Sequence, residues 1–210
     1  MSCPSVPAAS AESMEAIALR SKFVTLEPSG DYIAHGRLAN GLRVAVRPLH
    51  AEDREAVRAG FAVLSERSRS SRFVTSKPSL NDRELHVLVD DVDQHDHVAL
   101  MLVWCRSGKL DVLLGEGRFI RLHRDPTIAD ASVTIGDDIQ GLGAGRFLTR
   151  VLADVALDLG VERFTATMTA TNTASLRLMQ SIGTITQNTV ASGAREVVVD
   201  LTPGVPATRI

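Results

Sequence analysis

The spacing of apolar residues divides the chain between residues 42 and 201 into strands and helices. Short dense or alternating apolar runs predict strands, whereas apolar residues three and four positions apart predict amphipathic helices. The predicted strands are 42–46, 97–104, 111–123, 131–135, 163–169, 184–190 and 196–201. The predicted helices are 51–65, 82–89, 146–159 and 174–182. Residues 67–79 are polar and basic without an apolar period, which predicts an irregular connection.

The order of these elements predicts an α/β fold with a mixed sheet and helices on both faces. Strand–helix–strand units in the second half favour parallel pairing there, and the consecutive strands in the middle favour antiparallel pairing. We expect one compact domain at residues 41–203, after a turn at Asn40-Gly41. Residues 1–40 are expected to form a partly flexible extension with some helical character at 14–26, and residues 204–210 a tail.

Composition excludes several classes of protein. The net charge of −2 over 210 residues does not favour a nucleic-acid partner, which would need a basic face. Cys3 and Cys105 are far apart, which fits a reducing compartment better than a disulfide framework. Residues 1–13 lack the features of a secretion signal, and no apolar run is long enough to span a membrane. We therefore expect a soluble cytoplasmic protein without a membrane partner, whose oligomeric state is not encoded in any motif.

The most informative motif is the loop Gln140-Gly141-Leu142-Gly143-Ala144-Gly145, which follows a predicted strand and precedes a predicted helix. Backbone N–H groups at a helix N-terminus favour an anion, and glycines let the backbone approach a phosphate. A Walker loop is excluded because Gly145 is followed by Arg146-Phe147 rather than Lys-Ser/Thr. A dinucleotide fingerprint is excluded because Arg146 stands where its third glycine is required. The remaining interpretations are a pyrophosphate site and a tight turn without a ligand.

The loop fits the pattern Q/R-x-x-G-x-G/A and so resembles the GNAT acetyltransferase superfamily. The segment Asn172 to Gly183 is similar to the N-x-x-S-x-x-L-x-x-x-x-G helix of the same superfamily. The resemblance implies a partly splayed central sheet and acetyl-CoA as cosubstrate, without a metal. It also implies a set of contacts to CoA from the strand, the loop and this helix: Val133, Thr134, Ile135, Gln140, Gly141, Leu142, Gly143, Ala144, Gly145, Arg146, Asn172 and Ser175. Asn172 also has a simpler interpretation as a helix N-cap.

A closer resemblance is to bacterial protein lysine acetyltransferases of the Pat type. It is carried by Val46-Arg47-Pro48-Leu49, by Leu64-Ser65 through Ser68 to Arg72-Phe73, by residues 92–100, and by residues 125–133. This likeness implies a general base at Asp130, where the pattern has a longer Glu, so a bridging water is expected. A solvated loop acid is the alternative for Asp130. Glu116 and Asp138 are reserve candidates, and Met179 stands where many relatives carry a tyrosine acid.

Three functions remain open at this stage. The first is acetyl transfer to an exposed lysine of a protein, and the second is transfer to a small amine or an N-terminal amine. The third is an acyl-CoA-binding module with little catalysis, suggested by the short Asp130 and the absent tyrosine. His95 and His97 lie two residues apart near Asp93 and Asp96, but such short spacing is not specific for metal, so we expect a polar strand entrance there.

Overall fold

The computed structural model of the chain describes residues 24–73, 79–106 and 110–204. Within these residues the strands are β1 (Thr25–Leu26), β2 (Ala34–Arg37), β3 (Arg43–Pro48), β4 (His97–Trp104), β5 (Asp111–Leu122), β6 (Asp125–Ile135), β7 (Arg163–Thr169), β8 (Gly183–Ala191) and β9 (Ala194–Leu201). The helices are α1 (Arg54–Val63), α2 (Glu66–Phe73), α3 (Asp82–Leu85), α4 (Ala144–Asp158) and α5 (Thr173–Gln180). Short 3-10 turns lie at Ala51–Asp53 and Asp137–Ile139, and a π-helical turn follows α3 at His86–Asp90.

These strands form one sheet in the order β2-β3-β4-β5-β6-β7-β9-β8, and β1 pairs with β5 beside this path. The pair β6 and β7 is parallel, as predicted for a strand–helix–strand unit, whereas the other pairs of described strands are antiparallel. The second unit, β7–α5–β8, gives no direct parallel pair because β9 lies between β7 and β8. The sheet is therefore mixed, as expected, but mostly antiparallel.

Helices cover both faces of the sheet, and the sheet separates the core into two clusters. On the back face, α4 and α5 pack over strand residues, and Leu148 belongs to the same buried cluster as Phe119 and Phe164. On the front face, α1 and α3 cover a second cluster that includes Phe61 and Met101. Because successive strand residues alternate between the two faces, register decides which side chains lie on the front with α1.

Two strands lie in the segment that the sequence assigns to an extension. β1 pairs with β5, and β2 pairs with β3 through the turn at Ala39-Asn40. The β2 sequence Ala-His-Gly-Arg lacks the apolar alternation that identifies strands, which is why the pattern misses it. Residues 14–23 of the predicted helical stretch lie outside the described residues, and residues 25–26 are strand.

Three predicted boundaries are wrong in ways that matter for the site. Helix α2 occupies the first part of the predicted connection 67–79, and its start is capped because the Ser65 hydroxyl accepts the Ser68 N–H at 3.2 Å. Strand β6 has eleven residues rather than five, so Asp130 lies within the strand and not before it. Helix α4 begins at Ala144, so the end of the glycine loop forms its first turn.

Candidate active site

A cleft opens in the sheet where β6 and β7 separate. The two strands pair through Ile128, Ala129 and Asp130 of β6, and the last pair joins Asp130 to Thr165. Beyond that pair, residues 131–135 pair only with β5 among the described strands. Their other edge therefore offers backbone N–H and C=O groups to a ligand lying between the two strands.

The glycine loop lies beyond the end of β6 and leads into α4. Gly141 and Gly143 have φ of +78° and +92°, a region that favours glycine. A Cβ added at either glycine meets no atom within 4 Å, so both positions face open space. The first N–H groups of α4 lack carbonyl partners within the helix, and the helix dipole favours an anion at this end. These backbone donors around an open concavity fit the pyrophosphate of CoA.

Other residues of the loop face the protein. A Cβ at Gly145 would lie 3.3 Å from the Leu178 side chain, so this glycine permits α4 to pack on α5 rather than a ligand to approach. The Leu142 carbonyl accepts the Ala39 N–H at 3.0 Å, which ties the loop to the turn after β2. Arg146 is exposed on the first turn of α4, so its guanidinium is accessible to an anion at the loop.

Gln140 braces the loop with its side-chain amide. Its Nε2 donates to the Ile135 carbonyl at 3.0 Å and to Ser68 Oγ at 3.2 Å. Asp137 accepts the Ser65 N–H at 2.7 Å, the Ser65 hydroxyl at 2.8 Å and the Ser68 hydroxyl at 2.6 Å. Burial alone would raise the pKa of Asp137, but the hydrogen bonds from Ser68 and Ser65 lower it below its ordinary value.

The start of α5 agrees with the simpler interpretation of Asn172, which is a helix N-cap. Asn172 Oδ1 accepts the Ser175 N–H at 3.0 Å, which makes Asn172 the N-cap of the helix. Both residues are half-buried, and their predicted contact with CoA remains a prediction. Met179 is buried in the back cluster and so belongs to the core.

Asp130 lies on the front face where β6 and β7 separate. Its Oδ1 accepts a hydrogen bond from the Thr165 hydroxyl at 3.0 Å. Burial raises the pKa of Asp130, and the bond from Thr165 offsets this only in part. The residue is nevertheless accessible to solvent, although protein atoms surround much of its carboxyl group. A carboxylate with a raised pKa and access to solvent is suited to accept a proton.

Glu116, the reserve candidate, belongs to a buried ion pair. Arg118 Nε donates to Glu116 Oε1 at 2.5 Å, and the two side chains are 5% and 12% exposed, respectively. The Arg118 guanidinium also lies 3.0 Å from His97 Nε2 and donates to the Leu88 carbonyl at 3.0 Å. Burial and the Arg118 charge lower the pKa of His97, so the neutral ring can accept from Arg118. Glu116 is thus the counter-charge of a buried arginine.

The two acids face the same side of the sheet but lie apart. Glu116 pairs with Thr134 and Asp130 pairs with Ile120, so four residues along each strand separate them. At 3.4 Å per residue this separation is about 14 Å. Asp130 is therefore the acid at the point of separation, and Glu116 is not its partner in one proton transfer.

Comparison with known protein families gives a match over most of the chain. Residues 43–185 match the model of the acetyltransferase (GNAT) domain.

The chain belongs to the GNAT acetyltransferase family.

Individual GNAT proteins agree with this assignment. Acetyltransferase Pat of Mycolicibacterium smegmatis is 32% identical over 142 residues, which are 67% of this chain and 40% of that protein. Acetyltransferase PA5475 of Pseudomonas aeruginosa is 31% identical over 171 residues, or 80% of this chain and 87% of that protein. The solved GNAT domain of S. lividans PAT has a TM-score of 0.71 at 23% identity and covers 83% of this chain and 99% of that one. The match to the mycobacterial protein thus spans less than half of its length.

These findings confirm the GNAT family, the resemblance to Pat proteins, and the class of acyltransferase that the sequence predicts. The mixed sheet with helices on both faces is confirmed as well. Most of the elements that form the cleft lie within the matched residues 43–185, whereas β1 and β2 precede them.

A cavity of about 270 Å³ lies on the front face of this GNAT domain, between α1 and the sheet. Its wall is mainly apolar and comes from α1, the α3 region, β4 and β5: Val57, Phe61, Leu64, Leu80, Leu88, Met101 and Leu113. Glu116 and Thr134 add polar atoms to the wall, and Asp137 and Asp138 line it beyond the end of β6. The cavity therefore lies on the same face as Asp130.

Sequence reasoning missed several residues of this GNAT site. Thr165 was not a candidate, because only the register of β6 and β7 shows that it pairs with Asp130. Arg118 reads as an ordinary strand residue until its partners are known. Ser65 had a usable signal, since a serine directly before Glu66 is a helix-cap pattern.

Neither a metal site nor a membrane segment is evident in the described part of the chain. No group of three or more His, Cys, Asp or Glu side chains there is placed to hold a metal ion. His95 contacts Asp96 at 2.9 Å on the surface, whereas His97 is buried beside Arg118, so the two rings serve different contacts. No helix among residues 24–73, 79–106 and 110–204 is both long and apolar enough to cross a bilayer.

Proposed function

We propose that this GNAT domain transfers the acetyl group of acetyl-CoA to the side-chain amine of a lysine in a protein. One observation carries the proposal: the glycine loop and Asp130 lie at opposite ends of the free edge of β6, residues 131–135. This edge is about 17 Å long at 3.4 Å per residue. A pantetheine arm that runs from the loop along the edge brings the thioester toward Asp130.

The chemistry requires a neutral amine beside a polarised thioester. A free lysine has a pKa near 10.4, so deprotonation at pH 7 costs about 4.6 kcal/mol, and a base that removes the proton during attack lowers this cost. The amine nitrogen bonds to the acyl carbon, its proton passes to Asp130 through a water, and the C–S bond then breaks. Backbone N–H groups at residues 133–135 are the proposed donors to the thioester oxygen. CoA leaves as a thiolate, which needs no tyrosine acid in the place of the buried Met179.

Two features support Asp130 as the base. The pKa of Asp130 is raised by burial, so its carboxylate binds a proton more readily than an ordinary aspartate does. It is also exposed and belongs to the last pair of β6 and β7, next to the free edge of β6 along which the acyl group is proposed to lie. Glu116 lacks this combination, because it neutralises the buried Arg118.

The resemblance to Pat-type lysine acetyltransferases and the open position of Asp130 support a protein as the acceptor. The test is CoA thiol release from acetyl-CoA in the presence of protein mixtures, followed by mass spectrometry of the modified residues. Acetylated lysines that depend on both the enzyme and Asp130 are the expected result. Exclusive modification of N-terminal amines would contradict the proposal. Micromolar CoA binding with no transfer to any acceptor would support a binding module instead.

A second candidate is transfer to a small amine with an apolar body. The observation that favours it is the cavity of about 270 Å³, whose apolar wall suits the aliphatic body of a small amine better than a large protein surface. The same thiol-release assay with short alkylamines and polyamines tests this candidate. Saturable transfer to such an amine, with no lysine modified in proteins, would replace the lysine proposal.

A further inference from the structure

Four side chains form a hydrogen-bonded path between the glycine loop and helix α2. Ser65, the cap of α2, and Ser68, in its first turn, donate three hydrogen bonds to the Asp137 carboxylate at 2.6–2.8 Å. The Gln140 amide, at the start of the loop, donates to Ser68 Oγ at 3.2 Å. We call Ser65, Ser68, Asp137 and Gln140 the Asp137 network.

The network joins elements that belong to different halves of the cleft. At one end, Gln140 also donates to the Ile135 carbonyl, so its position follows the end of β6 and the loop. At the other end, α2 packs against both β6 and β7 and therefore lies across the strands that separate to form the cleft. The hydrogen bonds of Ser68 therefore connect the start of the loop to a helix that neighbours both strands of the cleft.

We propose that Asp137 is a positioning residue that couples the occupation of the glycine loop by CoA to the position of α2, and so orders the acceptor side of the cleft. The proposal rests on the proposed function, because that function defines which side of the cleft binds the acceptor. The coupling itself needs only CoA. Its consequence is that a bound acyl donor increases the affinity for the acceptor.

The chemistry of the carboxylate explains why an aspartate is needed. The groups that approach Asp137 are the three serine donors and, at 3.5 Å, the Gln140 amide, and an ionised carboxylate accepts from all of them. An asparagine has only one accepting oxygen. Its amide nitrogen would either meet the Ser65 N–H, which cannot accept, or replace the oxygen to which the two serine hydroxyls donate, and these hydroxyls would then have to turn and accept instead. Hydrogen bonds to a charged group are about twice as strong as neutral ones, so the substitution removes the strongest contacts of the network.

The experiment is hydrogen exchange of the full chain with and without CoA, in the wild type and in Asp137→Asn. CoA should slow the exchange of amides in α2 and in the glycine loop of the wild type, by at least about fivefold in α2, the lower end of typical coupling between sites. In Asp137→Asn, CoA should still bind, with an affinity within about threefold of wild type, and still protect the loop. Protection of α2 should be lost. CoA affinity is measured separately by calorimetry.

The neighbouring acid provides a matched control. Asp138 is exposed, and its carboxylate makes no hydrogen bond or ion pair within the described part of the chain. Asp138→Asn therefore makes the same chemical change one residue away and should keep the protection of α2. Ser68→Thr, which retains the hydroxyl, should also keep it, whereas Ser68→Ala should reduce it. The double variant Ser68→Ala/Asp137→Asn should be no worse than Asp137→Asn alone, because both act through one contact.

Two results would overturn the coupling. One is undiminished protection of α2 by CoA in Asp137→Asn, and the other is an equal loss in Asp138→Asn. Loss of CoA binding in Asp137→Asn would also contradict it, since Asp137 would then belong to the donor site itself. Failure of the proposed function gives a distinguishable result, because a protein that transfers nothing to lysine can still show protection of α2 by CoA.

Discussion

One half of the cleft is formed by backbone groups and the other by side chains. The half that we propose for the cofactor is formed by backbone: two glycines at positive φ and the first turn of α4, all within residues 140–146. The half that we propose for the acceptor is formed by side chains: Asp130 and its partner Thr165 lie 35 residues apart in sequence and meet through strand register. We therefore expect that donor binding and proton removal can be disrupted separately.

The largest expected effect is on the cofactor half. Gly143→Val should weaken CoA binding by about a thousandfold, which corresponds to the loss of two charge-assisted hydrogen bonds of about 2 kcal/mol each. A β-branched residue is strained at φ +92°, and its side chain fills the open space in front of the loop. Calorimetry with CoA measures the change.

Gly160 is a matched control for this substitution. It lies just beyond the other end of α4, also has positive φ (+83°), and also faces open space. Gly160→Val should lower stability to a similar degree without changing the affinity for CoA. Equal losses of affinity in both variants would mean that the loop acts through the stability of the helix and not through contact with the ligand.

The next effect concerns the acceptor half. Asp130→Asn should lower the transfer rate by about a hundredfold, the lower end for a general base, because in the proposed mechanism Asp130 acts through a water. CoA affinity should stay within about twofold. The acid limb of the wild-type pH–rate profile should lie above pH 3.8, the ordinary aspartate value, and should disappear in the variant. Asp125→Asn, at the half-buried start of the same strand, is the control and should leave the rate unchanged.

Asp130→Asn should slow the transfer but stabilise the folded protein at neutral pH. A carboxyl group whose pKa is raised in the folded state is harder to ionise there than in the unfolded chain, so its ionisation disfavours folding. This penalty is fully present above the folded pKa and vanishes as pH falls below the unfolded value of about 3.8. Asp130→Asn should therefore raise the melting temperature at pH 7 and lose that advantage near pH 3. A lower melting temperature at pH 7 would show that Asp130 is structural.

Glu116 should show a loss of stability without a comparable loss of catalysis. Glu116→Gln removes the counter-charge of the buried Arg118 and should cost about 3 kcal/mol in urea unfolding. The folded fraction should keep a transfer rate within about threefold of wild type. Glu162→Gln, an exposed acid, is the control and should change stability by less than about 0.5 kcal/mol. A hundredfold slower Glu116→Gln that is fully stable would move the base from Asp130 to Glu116.

The smallest effect tests whether the N-terminal strand β2 supports the cofactor half. A Cβ at Gly36 would lie 2.9 Å from the ring of Phe147, in the first turn of α4. Gly36→Val should displace that turn and weaken CoA binding about tenfold, equivalent to roughly 1.4 kcal/mol of overpacking. His35→Ala, at the preceding position of the same strand, should not change the affinity for CoA. An unchanged affinity in Gly36→Val would show that β2 does not position the loop.

The sequence predicts the geometry of the glycine loop better than the position of Asp130 for a physical reason. Gln140 to Gly145 form one contiguous stretch whose glycines, strand before and helix after are visible in the letters. The position of Asp130 depends on where β6 begins, and the segment 125–130, with a proline and an acid at each end, does not show the apolar pattern that identifies strands. The ion pair of Glu116 with Arg118 and the network of Asp137 require knowledge of which strands and helices are neighbours. Tertiary pairing, rather than local preference, decides these contacts.

β2 and α2 also depend on tertiary contacts rather than on an apolar pattern of their own. Both have polar sequences, and both are held by the elements that they contact. β2 is fixed by pairing with β3, and α2 by the cap at Ser65 and the bonds to Asp137. Neither has an apolar period, so neither could be found by the spacing of hydrophobic residues.

The most direct test of the account is the rate of acetyl transfer at saturating acetyl-CoA in Asp130→Asn, with CoA affinity measured on the same preparation. The account predicts an affinity within about twofold of wild type and a rate about a hundredfold lower. A wild-type rate in this variant would contradict the central claim that the proton leaves through Asp130. A parallel loss of rate and CoA affinity would contradict the separation of the two halves.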